Sequence, residues 1–189
     1  MDKEQRWLLI SDSHVGDRVK RIQAKLLDDI KAKKPDLILH GGDIAVQEVL
    51  DELSEIAPVI AVQGNRDWFK GFKLPMEHHF EVAGLKIVLT HGHISMWHWF
   101  WNYVHLFLTF RIHNHQFFQR QLAEKYPDAD VIIYGHLHFQ YDEMMDGKRF
   151  INPGSAYPHW RNKGRPQYML MTIKESGEIL VQRHEVVLD

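Results

Sequence analysis

His136 and His138 stand one residue apart in the stretch Tyr134-Gly135-His136-Leu137-His138, directly after the apolar run Val131-Ile132-Ile133-Tyr134. That run reads as a buried strand. Side chains two positions apart share a face of an extended segment, so both imidazoles can point the same way where the strand gives out. Gly135 allows the chain to turn there. Imidazole is the commonest metal-binding side chain. A His-x-His pair alone is a weak motif, but four further stretches offer donors of matching kind: Asp12-Ser13-His14, Gly42-Asp43, Gly64-Asn65 and His91-Gly92.

Asp12, His14, Asp43, Asn65, His91, His136 and His138 supply oxygen and nitrogen donors and no sulfur. Such a set suits manganese, iron, zinc, cobalt or nickel rather than a thiolate-bound metal. Seven ligands are too many for one catalytic ion with open positions, and they suit two ions if one carboxylate bridges. Two metals ~3.5–4 Å apart form the clamp used for in-line displacement at phosphorus. A phosphodiester is anionic and repels a nucleophile; the ions neutralise its oxygens, orient it and bring the pKa of a bridging water towards neutrality.

The elements that must hold these residues alternate along the first half of the chain. Trp7-Leu8-Leu9-Ile10 is a short strand that runs into Asp12. Residues 18–33 carry Val19, Ile22, Leu26, Leu27 and Ile30 at helical spacing, and Pro35 stops the helix. Leu37-Ile38-Leu39-His40 ends at Asp43; a short helix over about 46–56 leads to Pro58-Val59-Ile60-Ala61-Val62, which ends at Gly64-Asn65-Arg66-Asp67. Strand–helix alternation predicts right-handed crossovers and a parallel sheet, whose C-terminal edge is where ligands bind. The second half predicts strands at 80–82 and 86–90, a helix from about 114 to 126 stopped by Pro127, and hairpins about Asp146-Gly147 and Ser176-Gly177. The expected architecture is α/β, a two-layered β core flanked by helices, in one domain with an aromatic helical insertion at about 94–126.

Composition narrows the classes further. A net charge of −2 over 189 residues gives no general nucleic-acid surface. With no cysteine, disulfides and thiol nucleophiles are excluded, which fits a cytoplasmic protein. The polar start Met1-Asp2-Lys3-Glu4-Gln5-Arg6 is not expected to be a signal peptide.

The ordered series Asp12-x-His14, Gly42-Asp43, Gly64-Asn65, His91-Gly92 and Gly135-His136-x-His138 resembles the motifs of the calcineurin-like metallophosphoesterase superfamily. The chain's size and its Asn152-Pro153-Gly154-Ser155 loop are similar to the small bacterial and archaeal phosphodiesterase branch. The resemblance implies an αββα sandwich of two mixed sheets. It places Asp12, His14 and His138 on one metal, Asn65, His91 and His136 on the other, and Asp43 as the bridge, with manganese the first metal expected. The implied activity is hydrolysis of a small-molecule phosphodiester by in-line attack of a bridging hydroxide. Singly, each residue has an ordinary use: Asp12 or Asp43 as a helix N-cap, Asn65 as a turn former, His91 as a strand-end histidine. Five motifs in order are not explained that way.

Many superfamily members carry a histidine after the Gly-Asn pair, thought to protonate the leaving group; here the residue is Arg66. Guanidinium stays charged and cannot be a general acid near neutral pH. Arg66 reads either as a clamp on a phosphate oxygen or as a salt bridge to Asp67 or another carboxylate. His93 reads as a proton shuttle near the substrate or as a solvated loop histidine. His40, Asn152 and Ser155 read as supports, and turn chemistry alone also explains Asn152-Pro153-Gly154.

Trp97 to Phe110 is apolar nearly all round a helix. It is shorter than the ~20 residues a membrane span needs and carries two histidines and an asparagine. The expectations are a lid, a homo-oligomer contact or peripheral membrane contact through 94–110. Two alternatives stand beside the phosphodiesterase. Gly64 to Asp67 also resembles the Gly-Asn-Arg-Asp of UDP-diacylglucosamine pyrophosphatase, which acts on a nucleotide-linked lipid and inserts a hydrophobic cap at the same place. A retromer subunit of this fold is a protein-interaction scaffold without turnover.

Overall fold

The computed structural model describes residues 4–93 and 115–188 and, between them, Trp97, Phe100, Trp101, Val104 and Leu108. Two five-stranded sheets form the centre. The first has the order β10-β9-β1-β2-β3, from β1 (Gln5–Ile10), β2 (Leu37–His40), β3 (Val59–Ala61), β9 (Gln167–Ile173) and β10 (Ile179–Glu185). The second has the order β4-β5-β6-β8-β7, from β4 (Glu77–Val82), β5 (Leu85–Thr90), β6 (Val131–Tyr134), β7 (Gln140–Met145) and β8 (Lys148–Pro153). Strands β1, β2 and β3 run parallel to one another, as do β5, β6 and β8, while the remaining pairings are antiparallel.

The near-continuous apolar runs follow from this layering. Alternate residues of a central strand face opposite sides, and both sides are covered. Trp7, Leu9 and Leu39 of the first sheet meet Ile87, Leu89, Val131 and Ile133 of the second between the sheets. The intervening Leu8, Ile10 and Ile38 pack outward on Leu26 and Ile30 of α1 (Ala24–Lys33) and on Val49 and Leu53 of α2 (Gln47–Ser54). On the far side, Val88, Ile132, Tyr134 and Phe150 pack on Leu122 and Tyr126 of or next to α4 (His115–Lys125). This is the αββα sandwich, and its two parallel strand sets end at one shared edge.

One local expectation is corrected. The helix expected over 18–33 begins only at Ala24. Residues 15–22 are a tight turn in which the N–H groups of Asp17, Arg18 and Val19 all donate to the His14 carbonyl. Val19 and Ile22 reach the core from that turn, which is why their spacing imitated a helix. Beyond β3 the chain enters a short helix, α3 (Asn65–Lys70), directly from Gly64. The Asp146-Gly147 hairpin is as expected, with φ of +51° and +77° at the turn. Most of the aromatic segment at 94–114 lies outside the described residues. Trp97, Phe100, Trp101, Val104 and Leu108 are helical, and all of these except Val104 are exposed.

Candidate metal centre

Five of the seven predicted ligands lie in the left-handed backbone region: Asp12 (φ +54°), His14 (+49°), Asp43 (+57°), His136 (+72°) and His138 (+59°). For residues with a Cβ this conformation costs about 1–3 kcal/mol each, and it clusters at functional sites. The strained turns support one another, because Asp12 N–H donates to Gly42 O and His14 N–H to Asp43 O, both at 2.9 Å. Close approach also requires Gly64, where a Cβ would strike the Asp43 carboxylate and backbone nitrogen.

Asp12, His14, Asp43 and His138 each present a donor atom, all within 4.8 Å of one another. His14 Nε2 lies 3.6 Å from Asp43 Oδ2 and 3.8 Å from Asp12 Oδ1, and His138 Nε2 lies 3.1 Å from Asp12 Oδ1. Asp12 Oδ2 is fixed by the Ser11 hydroxyl at 2.6 Å and the His136 N–H at 3.0 Å. Its Oδ1 is buried with no hydrogen-bond partner among the described residues. Burial would raise the Asp12 pKa, but His138, His91 and His14 together pull it down, so the carboxylate is ionised.

On the other side of Asp43, Oδ1 lies 3.6 Å from His91 Nε2, which in turn is 3.2 Å from Asn65 Oδ1. His91 Nδ1–H donates to Gly41 O at 2.6 Å, so Nε2 of the neutral ring turns a lone pair towards two oxygen acceptors. Acceptors converging in this way need a shared proton or a cation between them. Burial would lower the pKa of His91, but the Asp43 and Asp12 carboxylates outweigh it and raise it. The His136 ring stands edge-on to His91 at 5.2 Å and to Phe118 at 5.7 Å. The unpartnered Asp12 oxygen, the converging acceptors and the oxygen–nitrogen donor set fit divalent metal ions.

His14, Asp43, Asn65, His136 and His138 floor a polar cleft of about 230 Å³ whose lining also includes Arg18, Arg66, Tyr157, His159, Trp160 and Arg161. Arg66 donates its backbone N–H to Asp43 Oδ1 at 2.7 Å, and its Nε lies 3.6 Å from Asp17 Oδ2. Its ion-pair partner is thus Asp17, not Asp67. His93 is buried rather than solvated, 5.3 Å ring to ring from His91, and both its nitrogens lack partners among the described residues. Burial and the neighbouring His91 push its pKa down to about 3. His40 bonds Ser13 Oγ at 2.7 Å through Nε2 and accepts the Gly42 N–H at Nδ1. Asn152 donates to Gly135 O at 2.6 Å, and Ser155 donates to Asp12 O at 3.1 Å. All three hold the backbone of the ligand-bearing loops. The sequence reading gave Asp67 only as an ion-pair partner of Arg66, and it passed over the rim residues Arg18, Tyr157, Trp160 and Arg161. The run Tyr157-Pro158-His159-Trp160-Arg161, directly after Asn152-Pro153-Gly154-Ser155, was the available signal.

A model of the calcineurin-like phosphoesterase superfamily domain matches residues 6–176. A probable metallophosphoesterase of Methanothermobacter thermautotrophicus is 32% identical over 147 residues, covering 78% of this chain and 74% of the relative. One from Mycoplasma pneumoniae is 29% identical over 170 residues, 89% of each chain. Among solved structures, vacuolar protein sorting 29 of Cryptosporidium parvum superposes with a TM-score of 0.71 at 21% identity, over 97% of this chain and 98% of that one. With the fold and the ordered ligand series already in place, these matches settle the family: the chain belongs to the calcineurin-like phosphoesterase superfamily.

Proposed function

We propose that this protein is a metal-dependent phosphodiesterase that works with two divalent ions, manganese first among them. The reading is carried by the position of Asp43, whose Oδ2 faces His14 Nε2 and whose Oδ1 faces His91 Nε2, each at 3.6 Å. One carboxylate turned towards two separate histidine sets is what a bridging ligand requires. Asp12, His14 and His138 would hold one ion and Asn65, His91 and His136 the other. When bound, such a pair neutralises phosphate oxygens and supplies a nucleophile at neutral pH.

The chain's own residues do the rest. Ser11 and the His136 N–H orient Asp12, and Gly41 O fixes the His91 tautomer. Arg18, Arg66 and Arg161 give the cleft mouth a positive field for an anionic substrate. Arg66 is placed to hold a phosphate oxygen as charge builds on it. It cannot donate a proton at neutral pH, so esters with good leaving groups, such as aryl diesters, are favoured over alkyl ones.

Metal analysis after reconstitution with manganese, followed by hydrolysis of bis(p-nitrophenyl) phosphate, p-nitrophenyl phosphate and a nucleotide–lipid pyrophosphate, tests the reading. Two equivalents of metal and a preference for the diester are expected, with Asp43→Ala losing both metal and turnover. Full activity in Asp43→Ala would overturn the two-ion assignment. Metal-replete protein that hydrolyses none of the panel would favour a scaffold role, for which the exposed Trp97, Phe100, Trp101 and Leu108 offer a surface.

A further inference from the structure

Trp160 is the most exposed of the large apolar side chains described, at 78%, yet it lines the polar cleft beside the candidate ligands. A flat apolar surface left in water at the mouth of a polar site is free energy available to a ligand that covers it.

The loop that presents it is rigidly built. Asn162 is buried; its Oδ1 accepts the His159 N–H at 2.8 Å and its Nδ2 donates to Tyr157 O at 2.8 Å. The His159 ring accepts the Arg161 N–H at 3.1 Å and stacks on Tyr157 at 4.7 Å between centroids. The loop is tied back to the turn after β1 that carries Asp12, because Ala156 N–H donates to Ser11 O at 2.9 Å. Trp160 is therefore held at the rim by bonds that do not involve its own ring.

Arg161 completes the feature. Its guanidinium lies 5.1 Å from the Trp160 ring centroid and donates to Leu137 O at 3.2 Å, with no carboxylate partner among the described residues. A flat ring and an uncompensated positive charge thus stand side by side, next to the loop that bears His138.

We infer that Trp160 and Arg161 form a subsite for a planar aromatic group joined to the phosphate of the substrate, with Trp160 stacking the ring and Arg161 holding a phosphate oxygen. This rests on the phosphoesterase reading above and names the substrate class for it: esters of flat rings, nucleosides included, over esters of sugars or alkyl alcohols. Trp160 is a specificity-determining residue here, not one that touches the reacting atoms.

Calorimetric titration of the manganese-loaded protein with adenosine 5′-monophosphate and with ribose 5-phosphate isolates the ring's share of binding. The nucleotide is expected to bind about tenfold tighter, in line with one base–aromatic stack. Trp160→Ala should remove that difference, and Trp160→Phe should keep most of it. Phenyl phosphate, titrated alongside, separates recognition of any flat ring from recognition of a nucleobase. Equal binding of the two ligands, or a difference that survives Trp160→Ala, would overturn the subsite. A Trp160-dependent difference in a protein that hydrolyses no ester would sustain the subsite while the phosphodiesterase reading fails.

Discussion

Asp67 Oδ2 accepts the backbone N–H of Asp43 at 2.9 Å, so one buried carboxylate holds the main chain that carries the other. The same group accepts the N–H of Gly64 at 2.8 Å, Ile44 at 2.9 Å and Ala45 at 2.6 Å. Asp43 and Ala45 both have left-handed φ, and Asp67 stabilises that turn through these backbone bonds. Replacing it leaves four buried donors without an acceptor, each costing about 1–3 kcal/mol before relaxation. Asp67→Ala should therefore lose at least about 3 kcal/mol of stability, read from urea denaturation with an unchanged m-value. Asp67→Asn, which keeps one carbonyl oxygen, should fall between the two.

The extent to which this could be read from the sequence depends on range. Asp12, His14, Asp43, Asn65, His91, His136 and His138 were legible because each closes a short apolar run, and parallel strands of a sandwich end at one edge. Asp146-Gly147 was legible because both residues need positive φ in a two-residue hairpin. Residues 15–22 misled because Val19 and Ile22 do face the core, but from a turn gathered on the His14 carbonyl. Asp67 read as a partner for Arg66 because adjacency in sequence was the only clue, whereas the fold turns it inward to four backbone donors. Trp160 and Arg161 reach the cleft only through a loop whose path is set by the buried Asn162. Periodicity carries no information about such a path.

Asn65 offers one neutral oxygen to one side of Asp43 and none to the other. Asn65→Ala should reduce bound manganese from two equivalents towards one, with the Asp12, His14 and His138 side retained. Turnover of an aryl diester should fall at least about 100-fold, beyond what losing a supporting hydrogen bond alone costs. Metal content by mass spectrometry of the dialysed variant checks the first part. A variant that keeps two tightly bound equivalents would show that Asn65 is not a ligand.

Arg66 is held between its backbone bond to Asp43 and the ion-pair distance from Nε to Asp17, and its side chain is 40% exposed at the cleft. Lysine keeps the charge but loses the planar fork that grips two oxygens at once. Arg66→Lys should lower kcat/KM on bis(p-nitrophenyl) phosphate about tenfold, mainly in kcat, if the clamp tightens as charge develops. Unchanged kcat/KM would leave the Asp17 pair as its whole role. With no acid at this position, rates across diesters should also fall steeply as the leaving alcohol becomes more basic.

A pH effect remote from the candidate metal ligands is expected where β4 meets α4. Glu77 accepts hydrogen bonds from Lys125 and Tyr126, with His79 on its own strand 3.2 Å away. Burial would raise the Glu77 pKa, but the bonds from Lys125, Tyr126 and His79 outweigh it and lower the pKa from 4.5 to about 2. A carboxylate whose folded pKa lies below its unfolded one contributes stability above the unfolded value and loses it as pH falls through the folded one. The window is therefore pH 4.5 down to 2, and at pH 7 the contribution is complete. Glu77 keeps about a third of its side chain in water, so screening limits the pair to about 1 kcal/mol or less. For a chain of this size that is a Tm difference of about 2–4 °C. Glu77→Gln should melt that much below the wild type at pH 7, and the gap should narrow steadily between pH 4.5 and 3 as the wild type loses what the variant never had. A gap that stays constant over that range would mean that packing of β4 on α4, and not the ionised carboxylate, is what the substitution disturbs.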